Sequence, residues 1–237
     1  MVPSMPVLTV ARISVPHTEN SAMNIYESTR LRYIPLGDAK YDDFFLTLVR
    51  EPGILNTDTS LQVGFSAARA ESLTKVLASR KLLAMYICLP APGGLGSPIP
   101  IGVVALSKPE EGQVQHGNAS ISIQIAAKHQ RKGYGKEAIA WVLDWAFDFA
   151  RLHRVEIASY SWNPGAKRLY SSMGFTEEGV KREAIWFIGG WHDMHELAIL
   201  EHEWRGKWRN EVNIETWASK GGQAYSSEQI AQRMGSA

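Results

Sequence analysis

Cysteine is nearly absent from this 237-residue chain, which contains only Cys88. A single cysteine excludes an intrachain disulfide, so no disulfide framework supports the fold. Cys88 lies in the apolar run Met85–Leu89. We therefore expect it to be a small buried residue and not a catalytic thiol.

Long hydrophobic runs and a large net charge are also absent. No apolar run approaches the roughly 20 residues that cross a bilayer, and the first ten residues lack the basic and apolar segments of a secretory signal. The formal net charge of +1 gives no electrostatic reason to bind nucleic acid or a membrane surface. We expect a cytoplasmic protein with neither of these as partner.

What the chain does have is a regular alternation of strand and helix patterns. Strands are predicted at 30–34, 83–89, 101–106, 119–127 and 155–160, followed by a closing hairpin of 183–188 and 194–200. Helices are predicted after Asp38 and at 67–81, 134–149 and 166–172. Because no linker or repeat divides the chain, we expect one α/β domain over 28–204, an N-terminal extension over 1–27 and a C-terminal extension over 205–237.

The clearest strand pattern is the segment 119–127. Ala119, Ile121, Ile123, Ile125 and Ala127 occupy one face, and small or polar residues occupy the other. Such a strand has one core face and one face suited to the floor of a cleft.

A glycine-rich turn, Gln130-Arg131-Lys132-Gly133-Tyr134-Gly135, follows this strand and opens the next helix. The first N–H groups of a helix have no intrahelical acceptor and lie at the positive end of the helix dipole. The turn is therefore a candidate phosphate site. Its glycine spacing differs from the dinucleotide-binding G-x-G-x-x-G, and Gly135-Lys136-Glu137 is not the Gly-Lys-Ser/Thr of a Walker A loop.

A second marker about 30 residues later is Asn163-Pro164-x-Ala166-x-x-Leu169-Tyr170-x-x-x-Gly174-Phe175. Two further stretches, Gly190-Trp191-x-Asp193 and Glu203-Trp204, complete an ordered series. With these four features the chain resembles the GNAT superfamily of acetyl-CoA-dependent N-acetyltransferases over about 28–204. Within that superfamily it is most similar to the branch containing the ribosomal-protein serine and alanine N-acetyltransferases.

The resemblance implies an α/β (α+β) fold with a mixed, mostly antiparallel sheet that is splayed in the middle and flanked by helices. Acetyl-CoA is the implied co-substrate, and no metal is implied. Its pantetheine arm would enter between strands 119–127 and 155–160 and bond the backbone around Ile123, Ile125 and Ala127. The turn from Gln130 through Arg131, Lys132, Gly133, Tyr134 and Gly135 to Lys136 would hold the pyrophosphate. Lys128 would add charge there, and Lys167 and Arg168 would reach the 3′-phosphate.

The implied catalytic residues are Tyr170 and Asn163. Direct transfer to an amine expels a thiolate, and the Tyr170 hydroxyl would protonate it as a general acid. Asn163 would position cofactor or substrate through its amide, and a backbone N–H near Ile125 would stabilise the oxyanion.

The general base is not identified by the sequence. Many relatives carry a carboxylate on the central strand, where this chain offers Ser122 and Gln124. Glu183, His192, Asp193 and His195 are alternatives, although each is more typical of a structural or rim residue. His192 and His195 are an odd number apart, so on a strand they face opposite sides and do not form a metal pair.

The acceptor also stays open between a protein N-terminus and a small primary amine. Loop 90–100 and segment 56–81 lie where similar proteins set acceptor specificity, and neither carries a strong acidic patch that would favour a polycation. Trp162, Trp186, Phe187 and Trp191 suit an apolar or aromatic amine, or belong to the core. A non-catalytic acyl-CoA sensor or scaffold and transfer of a longer acyl group are further alternatives. The chain is also compatible with a homodimer, and the tail after Trp204 would cover its interface or none.

Overall fold

The computed structural model describes residues 24–51 and 66–208. Most of both expected extensions lies outside this range, as do residues 56–65 of the segment 56–81 that was expected to set acceptor specificity. The strands are β1 (Arg32–Pro35), β2 (Lys81–Leu89), β3 (Ile99–Ser107), β4 (Asn118–Ile125), β5 (Arg154–Tyr160), β6 (Thr176–Phe187) and β7 (Gly190–Leu200). The α-helices are α1 (Asp42–Arg50), α2 (Ala67–Arg80), α3 (Tyr134–Asp148), α4 (Pro164–Met173) and α5 (Glu201–Trp208).

Local sequence signals account for most helix boundaries. The Asp38 side chain accepts a hydrogen bond from the Lys40 N–H and starts a short 3-10 turn that leads into α1. Ser66 caps α2 by accepting from the Arg69 N–H at 3.2 Å. Gly174 ends α4 with φ +106°, a conformation that glycine adopts without strain. Helix α5 was not predicted.

The seven strands of the described residues form one sheet in the order β1-β2-β3-β4-β5-β7-β6. Only the β4–β5 pair is parallel, and every other neighbouring pair is antiparallel. The expected mixed, mostly antiparallel sheet is therefore confirmed.

Helices cover both faces of this sheet. Along β2, Met85 and Ile87 pack in the core that contains α3 and α4, whereas Tyr86 and Cys88 pack in a second core with α1 and α2. Alternate residues of a strand point to opposite faces, so the two cores lie on opposite sides of the sheet. Cys88 is fully buried, as predicted.

None of the helices in the described residues combines the length and the apolar character needed to cross a membrane.

Candidate functional site

The parallel strands β4 and β5 separate halfway along their length. Their pairing runs from Asn118–Arg154 to Ile121–Ile157 and ends there. Beyond it, residues 122–125 of β4 pair with β3, and residues 158–160 of β5 pair with β7. Beyond Ile121 and Ile157 the two strands are no longer paired with each other, and we call the region between their carboxyl ends the β4–β5 gap.

The register of β3 and β4 shows which main-chain groups face this gap. The Ala126 N–H donates to the Ile101 carbonyl at 2.9 Å, while Ile125 pairs with Gly102 in the same ladder. Every second residue of an antiparallel strand bonds to a given neighbour. Ile123 and Ile125 therefore turn their N–H and C=O groups away from β3 and toward the gap.

The end of β4 differs from the expectation at Ala127. The strand stops at Ile125, and Ala127 begins a short 3-10 helix, Ala127–His129, so Ala127 is not a strand residue. Its N–H donates to the Glu51 carboxylate at 2.9 Å. The Gln130 side-chain amide donates to the Ile125 carbonyl at 2.9 Å and so ties the glycine turn to the strand end. Sequence reasoning missed Glu51, because its contact with Ala127 spans 76 residues.

The glycine turn forms the N-terminus of α3. Gly133 is the N-cap residue, with φ +83° and no side chain to accept a hydrogen bond, and Arg131 also has a positive φ of 58°. The first helical bond runs from the Glu137 N–H to the Gly133 carbonyl at 3.1 Å. The N–H groups of Tyr134 and Gly135 therefore have no acceptor within the helix, and the dipole makes this end favourable for an anion.

Several cations surround the turn. Lys128, Arg131 and Lys132 are exposed at its surface. The pKa of His129 is lowered first by burial and then by the charges of Lys128 and Lys132, while the charge of Glu51 acts in the opposite direction. An anionic group at the turn would meet the positive charges of Lys128, Arg131 and Lys132.

Gly135 leaves open space between the turn and β4. A Cβ on Gly135 would have Cγ1 of Ile125, 3.9 Å away, as its nearest neighbour. Neither φ nor crowding requires glycine at this position. The missing side chain thus leaves room beside the free N–H groups, which fits the approach of a phosphate.

A buried carboxylate in α3 joins this turn to the N-terminal part of the domain. Glu137 accepts hydrogen bonds from Ser28 and Arg30, and Arg30 also reaches the Lys132 carbonyl. Glu137 lies two residues after the glycine turn, and the sequence alone gave it no role. The available signal was an acidic residue directly before the buried run Ala138–Ile139.

Asn163 is the N-cap of α4. Its Oδ1 accepts a hydrogen bond from the Ala166 N–H at 3.2 Å, and Pro164 occupies the first helical position. This cap fixes where α4 begins relative to the end of β5. The structure thus gives the Asn163 amide oxygen a helix-capping partner.

Tyr170 lies seven residues further along α4 and is 7% exposed. Its ring packs against Phe175 at 6.1 Å between centroids. Burial, with a smaller contribution from the Tyr160 phenol at the end of β5, raises the pKa of Tyr170 to about 12. The hydroxyl is therefore protonated at neutral pH, as a general acid must be.

Lys167 has partners other than a phosphate in this structure. Its Nζ lies 2.8 Å from the Glu177 carboxylate and 3.1 Å from Nδ1 of His195. The hydrogen bonds that Lys167 and His195 each make to Glu177 lower the pKa of its carboxyl, and the Lys167 bond has the larger effect. The role that the resemblance assigned to Lys167 competes with this ion pair, whereas the neighbouring Arg168 is exposed.

The candidate bases near the closing hairpin have structural partners. His195 Nδ1 lies 2.6 Å from Glu177, and His192 Nδ1 lies 3.2 Å from the Ser161 hydroxyl. Asp193 accepts a hydrogen bond from the Glu183 N–H at 2.8 Å. Gln124 is also engaged, because its amide donates to the Leu48 carbonyl of α1 at 3.2 Å.

Aromatic rings line the end of β5 and the β6–β7 turn. Trp162 stacks between Tyr160 and Phe187, with centroid distances of 4.6 and 4.2 Å. Trp186 and Trp191 form an edge-to-face pair, and each is 59% exposed. The four aromatics singled out from the sequence therefore divide into a stacked pair beside α4 and an exposed pair on the hairpin.

Within residues 24–51 and 66–208, no three His, Cys, Asp or Glu side chains converge in a way that would hold a metal ion.

Comparison with known proteins gives consistent matches. Residues 30–176 match the family model described as acetyltransferase (GNAT) domain. The chain is 36% identical over 100 residues to a probable N-acetyltransferase, YjcK, of Bacillus subtilis, covering 42% of this chain and 54% of that protein. It is 34% identical over 89 residues to a spermidine N(1)-acetyltransferase of Vibrio cholerae, covering 38% and 51%. A putative ribosomal N-acetyltransferase of Bacillus subtilis, YdaF, is 30% identical over 89 residues, covering 38% and 49%.

Solved structures show the same fold. A spermidine N-acetyltransferase from Vibrio cholerae, crystallised with CoA and spermine, superposes with a TM-score of 0.63 at 24% identity, covering 75% of this chain and 99% of that one. A GNAT-family acetyltransferase from Bacillus anthracis gives a TM-score of 0.61 at 20% identity, covering 73% and 96%. The matched region spans about half the length of the curated relatives. Because the family model covers more than half of the chain, and its residues include the glycine turn and both strands of the gap, the chain belongs to the GNAT acetyltransferase family.

Proposed function

We propose that this protein is an acetyl-CoA-dependent N-acetyltransferase that acetylates a primary amine directly, within a ternary complex. The observation that carries the proposal is the junction of the β4–β5 gap with the N-terminus of α3. Gln130 connects the two, since it belongs to the turn and its side chain binds the Ile125 carbonyl. An extended arm with an anionic end fits this junction.

The residues present fit acetyl-CoA in chemistry as well as in shape. The gap-facing N–H and C=O groups of Ile123 and Ile125 would bond the pantetheine amides in the manner of an added strand. The N–H groups of Tyr134 and Gly135, together with Lys128, Arg131 and Lys132, would hold the pyrophosphate. The open space at Gly135 lets a phosphate approach the backbone.

The transfer forms a C–N bond to the acceptor and breaks the C–S bond of the thioester. Tyr170 would donate its hydroxyl proton to the departing thiolate and recover a proton from the acylated nitrogen through solvent. Proton loss and gain cancel, so the reaction releases an amide and a thiol. A backbone N–H near Ile125 that the pantetheine amides leave free would stabilise the oxyanion, while Asn163 would act by fixing the start of α4 and hence the position of Tyr170.

The acceptor is proposed as a primary amine, supplied by a small molecule or a protein N-terminus. Relatives include both spermidine acetyltransferases and a putative ribosomal N-acetyltransferase. The exposed Trp186 and Trp191 favour an amine with an apolar or aromatic part. The alternative function, a non-catalytic acyl-CoA-binding domain, is favoured by β4. Where many relatives carry a carboxylate, this strand has Ser122 and Gln124, and Gln124 is an amide already bonded to the Leu48 carbonyl.

Isothermal titration of the full chain with acetyl-CoA and with CoA tests the cofactor, and Gly135→Asp is the control. Micromolar binding that the variant loses supports the proposal. An assay of free thiol with spermidine, an aromatic primary amine and a peptide with a free N-terminus then tests turnover. If the protein binds acetyl-CoA but turns over none of these amines, the non-catalytic alternative is selected. If the wild-type chain binds neither acetyl-CoA nor CoA, both the acetyltransferase and the non-catalytic proposal are overturned.

A further inference from the structure

The buried carboxylate Glu137 is the least expected residue of α3. It lies in the first helical turn, and its side chain is 9% exposed. A charge taken out of water requires hydrogen-bonding partners. All three partners come from one short segment that precedes β1: the Ser28 hydroxyl at 2.8 Å, the Arg30 N–H at 2.6 Å and the Arg30 Nε at 2.7 Å.

From Glu137 the Arg30 guanidinium extends along the glycine turn. Its Nη1 donates to the Lys132 carbonyl at 3.0 Å. Its central carbon lies 4.8 Å from the ring centre of Tyr134, and Nη2 would be 3.2 Å from a Cβ on Gly133. One planar, permanently charged group thus contacts Lys132 and Tyr134 and lies beside the Gly133 between them.

The contact with the Lys132 carbonyl has a consequence for ligand binding. In a trans peptide unit the C=O and the following N–H point in opposite directions. When Arg30 holds the Lys132 carbonyl, the Gly133 N–H is directed away from Arg30. Arg30 also offsets the negative charge of Glu137, which otherwise lies at the helix end where an anion is to bind.

The segment that carries Arg30 is itself fixed against α3. Trp141 Nε1 donates to the Ile25 carbonyl at 2.8 Å, and the Trp141 ring stacks on Tyr33 with centroids 3.6 Å apart. Tyr33 also shares a hydrogen bond with Ser28 at 3.0 Å. Arg30 is therefore held from both sides, and its position relative to the turn is set by the fold.

We propose that Arg30 and Glu137 are positioning residues for the pyrophosphate of the acyl donor, with Arg30 orienting the turn and Glu137 anchoring Arg30. This inference rests on the proposed function, because it requires that the turn binds a pyrophosphate. Neither residue needs to touch the reacting thioester. Their loss should weaken donor binding and leave the chemical step nearly intact.

The test compares Arg30→Lys and Glu137→Gln with wild type in steady-state kinetics. The matched control is Asp148→Asn, which removes the 3.1 Å ion pair with Arg205 at the other end of α3. Arg30→Lys keeps the charge but loses the fork that joins Glu137 to Lys132. We expect its KM for acetyl-CoA to rise by about tenfold, the value of one charge-assisted hydrogen bond, with kcat within threefold and the control unchanged.

S-acetylpantetheine provides a second measurement because it has the thioester and lacks the pyrophosphate. Arg30→Lys should leave kcat/KM for this donor within twofold of wild type. Equal losses with both donors, or a fall of kcat together with the melting temperature, would show a merely structural role and overturn the inference. If wild type does not use the truncated donor, the kinetics with acetyl-CoA test the inference: a raised KM with an unchanged kcat supports it, and a lowered kcat with an unchanged KM overturns it.

Glu137→Gln separates positioning from simple charge. If Glu137 holds Arg30 in place, Glu137→Gln should raise the KM for acetyl-CoA, because Arg30 loses the carboxylate that binds it. A lower KM would mean that the carboxylate acts only by repelling the donor, and would contradict the inference. A wild-type chain that binds no acetyl-CoA would overturn the proposed function, whereas wild-type binding with unchanged variants would overturn this inference alone.

Discussion

Gly102 of β3 and Ile125 of β4 face each other across the ladder at the mouth of the β4–β5 gap. A Cβ on Gly102 would overlap the Gln124 carbonyl and lie 2.9 Å from Cδ1 of Ile125. The two strands therefore approach more closely here than any side chain allows. Gly102 thus helps to set the position of the strand end that lines the gap.

We expect Gly102→Ala to destabilise the fold by about 1–3 kcal/mol through overpacking and to weaken acetyl-CoA binding. Urea unfolding and isothermal titration measure the two effects. Gly206→Ala in α5 is the control, since no atom lies within 4 Å of its added methyl group. A Gly102→Ala chain with wild-type stability and affinity would show that the approach of β3 is not needed.

The two glycines of the turn should respond differently to alanine. Gly135 has ordinary helical geometry and space for a methyl group. We therefore expect Gly135→Ala to keep the wild-type melting temperature while its affinity for CoA falls by about tenfold or more. Gly133→Ala should instead destabilise the protein by about 1–2 kcal/mol, because φ is +83° and Arg30 Nη2 lies 3.2 Å from the new Cβ. Normal CoA binding by Gly135→Ala would contradict a phosphate site at the turn.

Patterns that are local in sequence predicted most of this architecture. Strict alternation located β4, and Asp38 and Gly174 marked helix ends through contacts within a few residues. The same locality explains what was missed. Glu51 meets Ala127 across 76 residues, and Ser28 meets Glu137 across 109, so neither contact has a periodic signature.

The chemistry of the candidate site was less predictable than its location. The motifs placed Tyr170 and Lys167 on one helix, but they do not specify which neighbours each side chain meets. Lys167 meets Glu177 near the start of β6 and His195 on β7, and these two positions lie close together because β6 pairs with β7. The pKa of Tyr170 depends on burial by the whole domain, which a motif does not encode.

Lys167 offers a test of the phosphate assignments. Its ion pair with Glu177 predicts that Lys167→Met leaves the Kd for CoA within twofold. Lys132→Met, at the exposed turn, should weaken CoA severalfold, and the loss should shrink as salt is raised because exposed charges are screened. Isothermal titration at two salt concentrations measures both variants. Equal losses would mean that Lys167 leaves Glu177 to bind the ligand.

Cys88 should be inert in the native protein. Burial raises the pKa of its thiol to about 12, and only the thiolate reacts readily with a disulfide reagent. We expect no labelling by such a reagent at pH 8 in buffer and complete labelling in urea. Cys88→Ala should retain turnover, which an essential thiol would not allow.

Tyr170 provides the sharpest test of the proposed chemistry. Its pKa is raised to about 12, chiefly by burial. Because a phenol is the acid in its protonated form, a raised pKa extends the active form upward in pH. Activity should therefore not fall through ionisation of Tyr170 anywhere below about pH 11, and the kcat profile should show no basic limb up to the highest pH at which the fold survives. Tyr170→Phe keeps the ring in the core and removes the hydroxyl proton. We therefore expect kcat to fall by about 10²–10⁴-fold, with the melting temperature and the CoA affinity unchanged.

The matched control is Tyr160→Phe, which removes the neighbouring phenol on β5. Its kcat should stay within a few-fold of wild type. A Tyr170→Phe enzyme with normal kcat would remove Tyr170 as the acid, and a basic limb with an apparent pKa near 9 that this variant loses would contradict the buried, protonated phenol.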